Sequence, residues 1–481
     1  MSPELFKCYL HALSEELNDA CDPRVPVLNG KRVSHLLWAD DLVLMALDGA
    51  SLQILLDILL SYCLEWGLSV NISKTAVMVF SKSGRLLKES EIFTYGELRI
   101  PSVREYCYLG ITFSLNGSLK RAQEKLRQKA TRSYFALKRL LDLNSLKVST
   151  VLKLFDTLIL PIVTYGCQVW LTETALITNT VTNQQLQKGT LATAALDHPE
   201  KLHLSFMKWS LGVGKRTSNA AIYGDTGRVP VAVMVLKQVY SYYDRLRLMD
   251  IQNSDTLVRH AFAEQKLLQL PWYSKLTDLR QKLSNNTTHT DLYPSQLREQ
   301  LKTKFIASWE DERKLNKKLS FYNKIKTSFG RENYVDINMG REETRRLAQL
   351  RASAHGYAVE TGRHGTKRTS ILNRLCPSCT TSEQETILII SELPFFDPII
   401  EDEEHVLLDC PKYAEIRYKL APGLKSAVHA KDVNTMFTCT NITRSVARYV
   451  SRCHNERFPK DDSHKEPKQP QETLPQGTPR S

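Results

Sequence analysis

Two acidic residues, Asp40 and Asp41, interrupt an otherwise apolar stretch that runs from Ser34 to Ala39 before them and from Leu42 to Ala46 after them. Burying adjacent carboxylates inside one continuous strand is costly, so the pattern predicts strand, tight turn, strand. The flanking segments must cover that hairpin. Leu5, Phe6, Tyr9, Leu10 and Leu13 recur at helical spacing after Ser2-Pro3, which predicts a helix from Ser2 to about Asn18. A second helix is predicted from Ser51 to Trp66, stopped by Gly67, and a further strand from Ala76 to Phe80. Helix, hairpin, helix and strand in this order describe an α+β fold class, with helices on one face of an antiparallel sheet.

The pair at the hairpin tip has two readings. Asp favours turns, so Asp40-Asp41 suits a plain turn. Hard oxygen ligands at such a tip also suit Mg²⁺, two of which, about 3.5–4 Å apart, serve nucleotidyl transfer. The small Ala39 beside the pair leaves room for a close approach. A hydrolase using the pair with a histidine is a third possibility, which no neighbouring His-x-Asp cluster supports.

Beyond the hairpin region the pattern turns helical and basic from Lys120 to about Leu160 and stays mainly helical to roughly Ser328. Lys120, Arg121, Lys125, Arg127, Lys129, Arg132, Lys138 and Arg139 crowd one predicted helix, with Leu126, Tyr134, Leu137 and Leu140 as its buried side. Arg341, Arg345, Arg346, Arg351, Arg363, Lys367 and Arg368 form a second basic cluster, interleaved with His355, Tyr357 and His364. With 65 Lys+Arg against 52 Asp+Glu, the formal net charge is +13. Such an excess favours a polyanionic partner, although a solvated basic face is the plainer reading of each cluster.

Ten cysteines in 481 residues are too sparse for the disulfide framework of a small secreted domain. Four positions have another spacing. Cys376 and Cys379 form Cys-x2-Cys, and about 25 residues later His405 and Cys410 form His-x4-Cys, which suits a tetrahedral structural Zn²⁺ site. The long gap leaves open that the four residues are unrelated, and Cys439, Cys453 and His454 are weaker substitutes that suit packing. Met1 to Leu17 mixes charges into its apolar residues, unlike a signal peptide, and no stretch approaches the ~20 apolar residues needed to span a bilayer. The expectation is a nuclear or cytoplasmic protein with no membrane partner. Residues 455–481 are rich in Pro, Lys, Glu and Gln and are expected to be a disordered tail.

Leu36-Leu37-Trp38-Ala39-Asp40-Asp41-Leu42-Val43-Leu44 resembles the aromatic-Ala-Asp-Asp motif of the reverse transcriptases of LINE-type (non-LTR) retrotransposons, with Trp38 where Tyr or Phe is commoner. Other segments fall in that family's order. Ser2-Pro3-Glu4-Leu5-Phe6 looks like the end of the preceding motif, Trp66 to Thr75 resembles Gly-Leu-x-x-Asn-x-x-Lys-Thr, and Tyr106-Cys107-Tyr108-Leu109-Gly110 resembles the Tyr-Leu-Gly primer grip. Further on, Leu160 to Gly166 and Leu211-Gly212-Val213 with Lys215-Arg216-Thr217 look like segments that follow the palm in LINE proteins. The stretch Glu401 to Pro411 resembles the end of a carboxy-terminal Cys-Cys-His-Cys knuckle, with Ile387 to Pro398 as an insertion before it.

The resemblance implies an RNA-directed DNA polymerase whose partners are an RNA template and a DNA primer or target DNA. It implies Asp40 and Asp41 as Mg²⁺ ligands. Lys74, Tyr108, Leu109 and Gly110 would lie at the nucleotide and primer. Lys125, Arg127, Lys129, Arg132, Arg345, Arg346, Arg351 and Arg363 would contact nucleic acid, and Cys376, Cys379, His405 and Cys410 would hold Zn²⁺. The implied organisation is a partial palm (1–118), a helical thumb (119–260), a helical connection (261–340), a basic segment (341–375), a zinc-knuckle region (376–454) and the tail. A metal-binding Asp that the family carries before Ser2-Pro3 is not in this sequence. The isolated chain is therefore expected to lack polymerase activity, and its palm to expose a sheet edge that lowers solubility.

Overall fold

The computed structural model describes residues 8–81, 92–173, 198–284, 292–363, 368–380 and 398–459. The chain divides into two compact units. The first takes in Met1–Ser210, Ser218–Asn316 and Ser328–Glu332; the second takes in Leu211–Thr217, Lys317–Thr327 and Asn333–Ser481. The fold is α+β, and among the described residues its short strands lie in the first unit and its helices in both.

The first unit opens with helix α1 (His11–Asp19), and Ser2 to Lys7 of the predicted helix lie outside the described residues. Two short strands follow, β1 (Val27–Leu28) and β2 (Lys31–Arg32), and then the hairpin of β3 (His35–Trp38) and β4 (Asp41–Leu44). Helix α2 (Gly49–Glu65) begins at Asp48, whose carboxylate accepts the Ser51 backbone N–H at 2.8 Å. That bond and the Ser51 hydroxyl hold the Asp48 carboxyl below the usual range, as an N-cap should. Gly67, at φ +64°, turns the chain away after Trp66. Leu13 and Leu17 of α1 interlock with Leu55, Leu59, Tyr62 and Cys63 of α2, and Leu42, Leu44 and Ala46 pack against that core.

Two more hairpins complete this layer, β5 (Phe93–Tyr95) with β6 (Leu98–Ile100) and β7 (Glu105–Tyr108) with β8 (Ile111–Ser114). The expected single antiparallel sheet is not what forms among the described residues, where the strands make four separate two-stranded hairpins. The predicted strand from Ala76 to Phe80 also gives way, leaving one parallel bridge between Val77 and Ser102. Val77 N–H donates to the Pro101 carbonyl at 2.9 Å and its carbonyl accepts the Val103 N–H at 2.9 Å, and no further rung joins them among the described residues. Val77 is held instead by apolar burial with Leu56, Phe93 and Ile100.

Helix α3 (Lys120–Leu140) buries Ala122, Leu126, Ala130, Tyr134 and Leu137. Leu140, expected on that side, is 82% exposed, because α3 ends there and the chain turns extended at Leu141. Tyr134 meets Phe206 of α4 (His198–Leu211) at 5.5 Å between ring centroids. The rest of the unit is a helical stack of α5 (Asn219–Thr226), α6 (Val231–Ile251), α7 (Leu257–Leu267) and α8 (Pro294–Leu315), where Trp309 Nε1 donates to the Ala220 carbonyl at 2.7 Å.

In the second unit α9 (Ser320–Ile325), α10 (Arg341–Arg351), α11 (Pro422–His429), α12 (Val433–Thr438) and α13 (Thr443–Arg457) surround the Cys-Cys-His-Cys segments. The expected tail starts later than residue 455. Arg457 pairs with the buried Glu401, and the Phe458 ring stacks at 6.0 Å on that of Tyr357, so these residues belong to the folded unit. Residues 460–481 lie outside the described residues.

Candidate functional site

The β3–β4 hairpin pairs Trp38 with Asp41 and turns through Ala39 and Asp40 alone. A two-residue turn needs left-handed backbone to match strand twist, and Ala39 takes φ +53°. Side chains alternate along a strand, so Asp41 points to the face opposite Leu42 and Leu44, away from the helical layer. Both carboxylates and the Trp38 ring are exposed. The hairpin base is anchored by a 2.7 Å hydrogen bond between Ser14 Oγ and His35 Nε2.

A second tight turn lies near the first. Tyr108, Leu109 and Gly110 form the end of the β7–β8 hairpin, with Leu109 at φ +46° and Gly110 at φ +79°. Burial raises the Tyr108 phenol, and the Asp41 carboxylate raises it further, which places that charge within electrostatic reach. Lys74 is joined to the same hairpin through its carbonyl, which accepts the Tyr106 hydroxyl at 3.0 Å. Tyr165, marked in the sequence only as part of the Leu160 to Gly166 segment, donates its hydroxyl to the Leu109 carbonyl at 2.9 Å. Among the described residues no third Asp, Glu, His or Cys gathers with Asp40 and Asp41.

Helix α3 spends part of its charge internally. Arg121 and Lys125 both reach Glu105, at 2.6 and 2.8 Å, and hold its carboxyl low. Arg127 grips Glu124 at 2.6 Å, and that carboxyl is pulled down to about 2 by the Arg127 hydrogen bond foremost. Lys129, Arg132, Lys138 and Arg139 are exposed and have no ion pair among the described residues, with Phe135 exposed between them. At the other end of the β7–β8 hairpin, a shallow cavity of ≈ 490 Å³ is lined by Arg104, Glu105, Ser114, Asn116, Lys120 and Arg121 and does not include the carboxylate pair.

In the second unit Cys376, Cys379, His405 and Cys410 converge, with their ligand atoms all within 4.8 Å of one another. The Cys410 Sγ lies 3.8 Å from Cys376 Sγ and 3.7 Å from Cys379 Sγ, and His405 Nε2 lies 3.4 Å from Cys379 Sγ. Tetrahedral Zn²⁺ with Zn–S of about 2.3 Å and Zn–N of about 2.0–2.1 Å separates its ligand atoms by roughly 3.5–3.8 Å. The donor set therefore fits Zn²⁺. Burial and the two neighbouring sulfurs push the Cys379 thiol up to about 12, so the thiolate form requires a cation among the three sulfurs.

The acidic stretch before His405 is consumed in building this centre. Asp402 caps the His405 N–H at 2.8 Å, Glu401 accepts the Ala358 N–H at 2.8 Å, and Glu403 takes the Ser353 hydroxyl at 2.7 Å and His355 Nε2 at 2.9 Å. Cys453 is fully buried, and His454 is nearly so.

Of the second basic cluster, Arg351 corrects the sequence expectation. It is 1% exposed, with its guanidinium 5.6 Å from the Tyr334 ring and 5.9 Å from those of Tyr322 and Phe437, so no surface remains for a phosphate. His355 is likewise buried against Glu403 rather than interleaved on a basic surface. Arg363 lies 3.3 Å from Glu360, and Arg346 2.7 Å from Glu342, whereas Arg345 is exposed with Glu342 only at 3.9 Å. His364 and Lys367 lie outside the described residues.

Residues 1–113 match the family described as reverse transcriptase (RNA-dependent DNA polymerase). The α+β layer with its carboxylate hairpin lies within that match. A transposon-derived protein of Caenorhabditis elegans is 31% identical over 147 residues, which are 30% of this chain and 50% of that protein. The chain therefore spans about half the length of this relative, and its likeness is to a transposon-derived protein and, over residues 1–113, to reverse transcriptases. No helix among the described residues is long and apolar enough to cross a membrane.

Proposed function

We propose that this chain is part of the reverse transcriptase of a LINE-type (non-LTR) retrotransposon, with residues 1–118 as palm and the helices of 119–260 as thumb. The observation that carries the reading is the Asp40-Asp41 turn beside the Tyr108-Leu109-Gly110 turn, linked by the field of Asp41 on Tyr108. Asp40 and Asp41 would hold Mg²⁺, which when bound supplies positive charge at the oxygens of phosphoryl transfer. Lys74 and the 108–110 turn orient the incoming nucleotide and the primer end. Lys129, Arg132, Lys138 and Arg139 neutralise backbone phosphates of template and primer.

Two carboxylates with no third acidic partner among the described residues hold one ion and not a two-ion clamp, so this chain by itself would not extend a primer. Cys376, Cys379, His405 and Cys410 hold a structural Zn²⁺. The test is incubation of the purified chain with a primed RNA template, deoxynucleotides and Mg²⁺ or Mn²⁺, alongside binding of the same template. Binding without extension supports the reading; extension removes the claim of inactivity, and absence of binding removes the reading.

A second reading is a nucleic-acid-binding protein derived from such an element and working without chemistry. The exposed, unpaired cations of α3 favour it as much as they favour a thumb. Template binding that Mg²⁺ strengthens and that loses this response in Asp40→Asn with Asp41→Asn favours the polymerase reading; binding indifferent to Mg²⁺ and to both substitutions favours the second.

A further inference from the structure

The segment Leu211–Thr217 belongs to the second unit, although it directly follows α4 of the first. Gly212, at φ +73°, brings it so close to α10 that a Cβ there would lie 3.0 Å from Arg345 Cβ and 3.1 Å from Arg341 Nη2. Only glycine permits that approach without displacing a side chain or straining the backbone. The chain then exposes Gly214, Lys215 and Arg216 and closes on a 3.1 Å hydrogen bond from Thr217 N–H to the Gly214 carbonyl. Residues more than 120 positions apart in sequence thus bring Gly212, just ahead of the exposed Lys215 and Arg216, against Arg341 and Arg345.

Two features of this cluster suit an anion. A Cβ on the exposed Gly214 would meet nothing within 4 Å, so the backbone beside Lys215 and Arg216 is open to a ligand. The local carboxylates are largely drawn off, Glu343 to Arg448 at 3.3 Å and Glu342 to Arg346 at 2.7 Å, with Arg345 only at 3.9 Å. The resulting positive field is felt by its neighbours. Burial lowers Arg341, and Arg345 lowers it further; burial lowers His454 to about 4, with Arg346 and Arg345 adding to the effect.

We propose that the 212–217 loop and the first turns of α10 form a phosphodiester-binding site for the backbone of a nucleic acid. The site deepens the function proposed above and rests on it only for the identity of the polyanion. Arg345 and Arg216 supply charge-assisted hydrogen bonds, and the glycine-rich backbone permits close approach.

The test measures binding of the full chain to a labelled RNA stem-loop and to a DNA duplex over a series of salt concentrations, and thermal stabilisation by inorganic phosphate. Arg216→Gln with Arg345→Gln should reduce the salt slope by about two and weaken binding by at least roughly tenfold near 0.1 M salt. Gly212→Ala keeps every charge and should also weaken binding, because it parts the loop from α10. Phosphate should raise the melting temperature of the wild-type chain and not that of the double variant.

Wild-type affinity and slope in the double variant overturn the proposal, whatever the folding of Gly212→Ala. Loss confined to Lys129→Gln with Arg132→Gln on α3 overturns it while leaving the nucleic-acid reading intact. Phosphate stabilisation of the wild-type chain without binding of either nucleic acid overturns the phosphodiester assignment together with that reading. A larger loss for RNA than for DNA, or the reverse, identifies which backbone the site takes.

Discussion

Tyr165 donates its phenol hydroxyl to the Leu109 carbonyl at 2.9 Å, and its ring lies where a side chain on Gly110 would have to go, 3.1 Å from an added Cβ. A residue 56 positions downstream thus holds the turn that stands beside Asp41. Turn and buttress are one unit, because an alanine at φ +79° is strained by its own backbone and crowded by the tyrosine.

Gly110→Ala should lower stability by roughly 1–2 kcal/mol through the left-handed backbone alone. Tyr165→Phe should cost about 0.5–1.5 kcal/mol, the range for one hydrogen bond. Urea unfolding followed by tryptophan fluorescence measures both; equal stability of Gly110→Ala and wild type would show that the turn does not have this backbone.

Acid should release metal from the Cys376, Cys379, His405 and Cys410 cluster, since thiolates and imidazole bind Zn²⁺ only when deprotonated. Metal analysis of protein purified under reducing conditions should give about one zinc per chain, falling on dialysis against chelator at low pH. Cys410→Ser should bind less zinc and lose helicity first in the second unit. A zinc-free wild-type chain with unchanged melting temperature after chelator would reject the metal centre.

His454 titrates in a separate window. Its pKa falls from 6.5 to about 4 in the folded chain, so folding favours the neutral ring. The folded value is the lower one, hence its contribution is complete above about 6.5 and is lost as pH falls towards 4. His454→Gln should flatten that part of the stability curve relative to wild type, measured on chelator-treated protein so that metal release does not enter. Parallel curves between these pH values would contradict the assignment.

Arg351→Ala should destabilise the second unit by roughly 2–5 kcal/mol, as a large side chain is removed from its packed aromatic surround. At temperatures where the variant remains folded, its affinity for nucleic acid should equal that of wild type. A selective loss of binding without loss of stability would return Arg351 to the surface.

Exchanging Lys129 and Arg132 for Gln should reduce the salt dependence of RNA binding by about one to two in slope. Lys125→Gln should do less, because that ammonium already pairs with Glu105 at 2.8 Å. The comparison is read from binding curves at several salt concentrations; equal slopes for all variants would remove α3 as a contact.

Local patterns carried part of this molecule without help. Apolar runs around Asp40 and Asp41 are enough for the hairpin, Gly67 marks the end of α2 although its start lies at Gly49 rather than Ser51, and the Cys-x2-Cys and His-x4-Cys spacing marks four residues that converge. Ala76 to Phe80 makes a single bridge rather than a strand, and its apolar content reflects the burial of Val77.

What residue types and short spacings specify is whether a segment turns, coils or extends, since those choices are made within a few residues by sterics and hydrogen bonding. Which arginine meets water is decided otherwise. Arg345 and Arg351 sit six residues apart on α10, yet one is exposed and the other enclosed by Tyr322, Tyr334 and Phe437. That difference comes from which helices pack against each face, just as Tyr165 against Gly110 and Gly212 against Arg345 arise from contacts between distant segments. Charge and aromatic content are written in the chain; their partners exist only once it has folded.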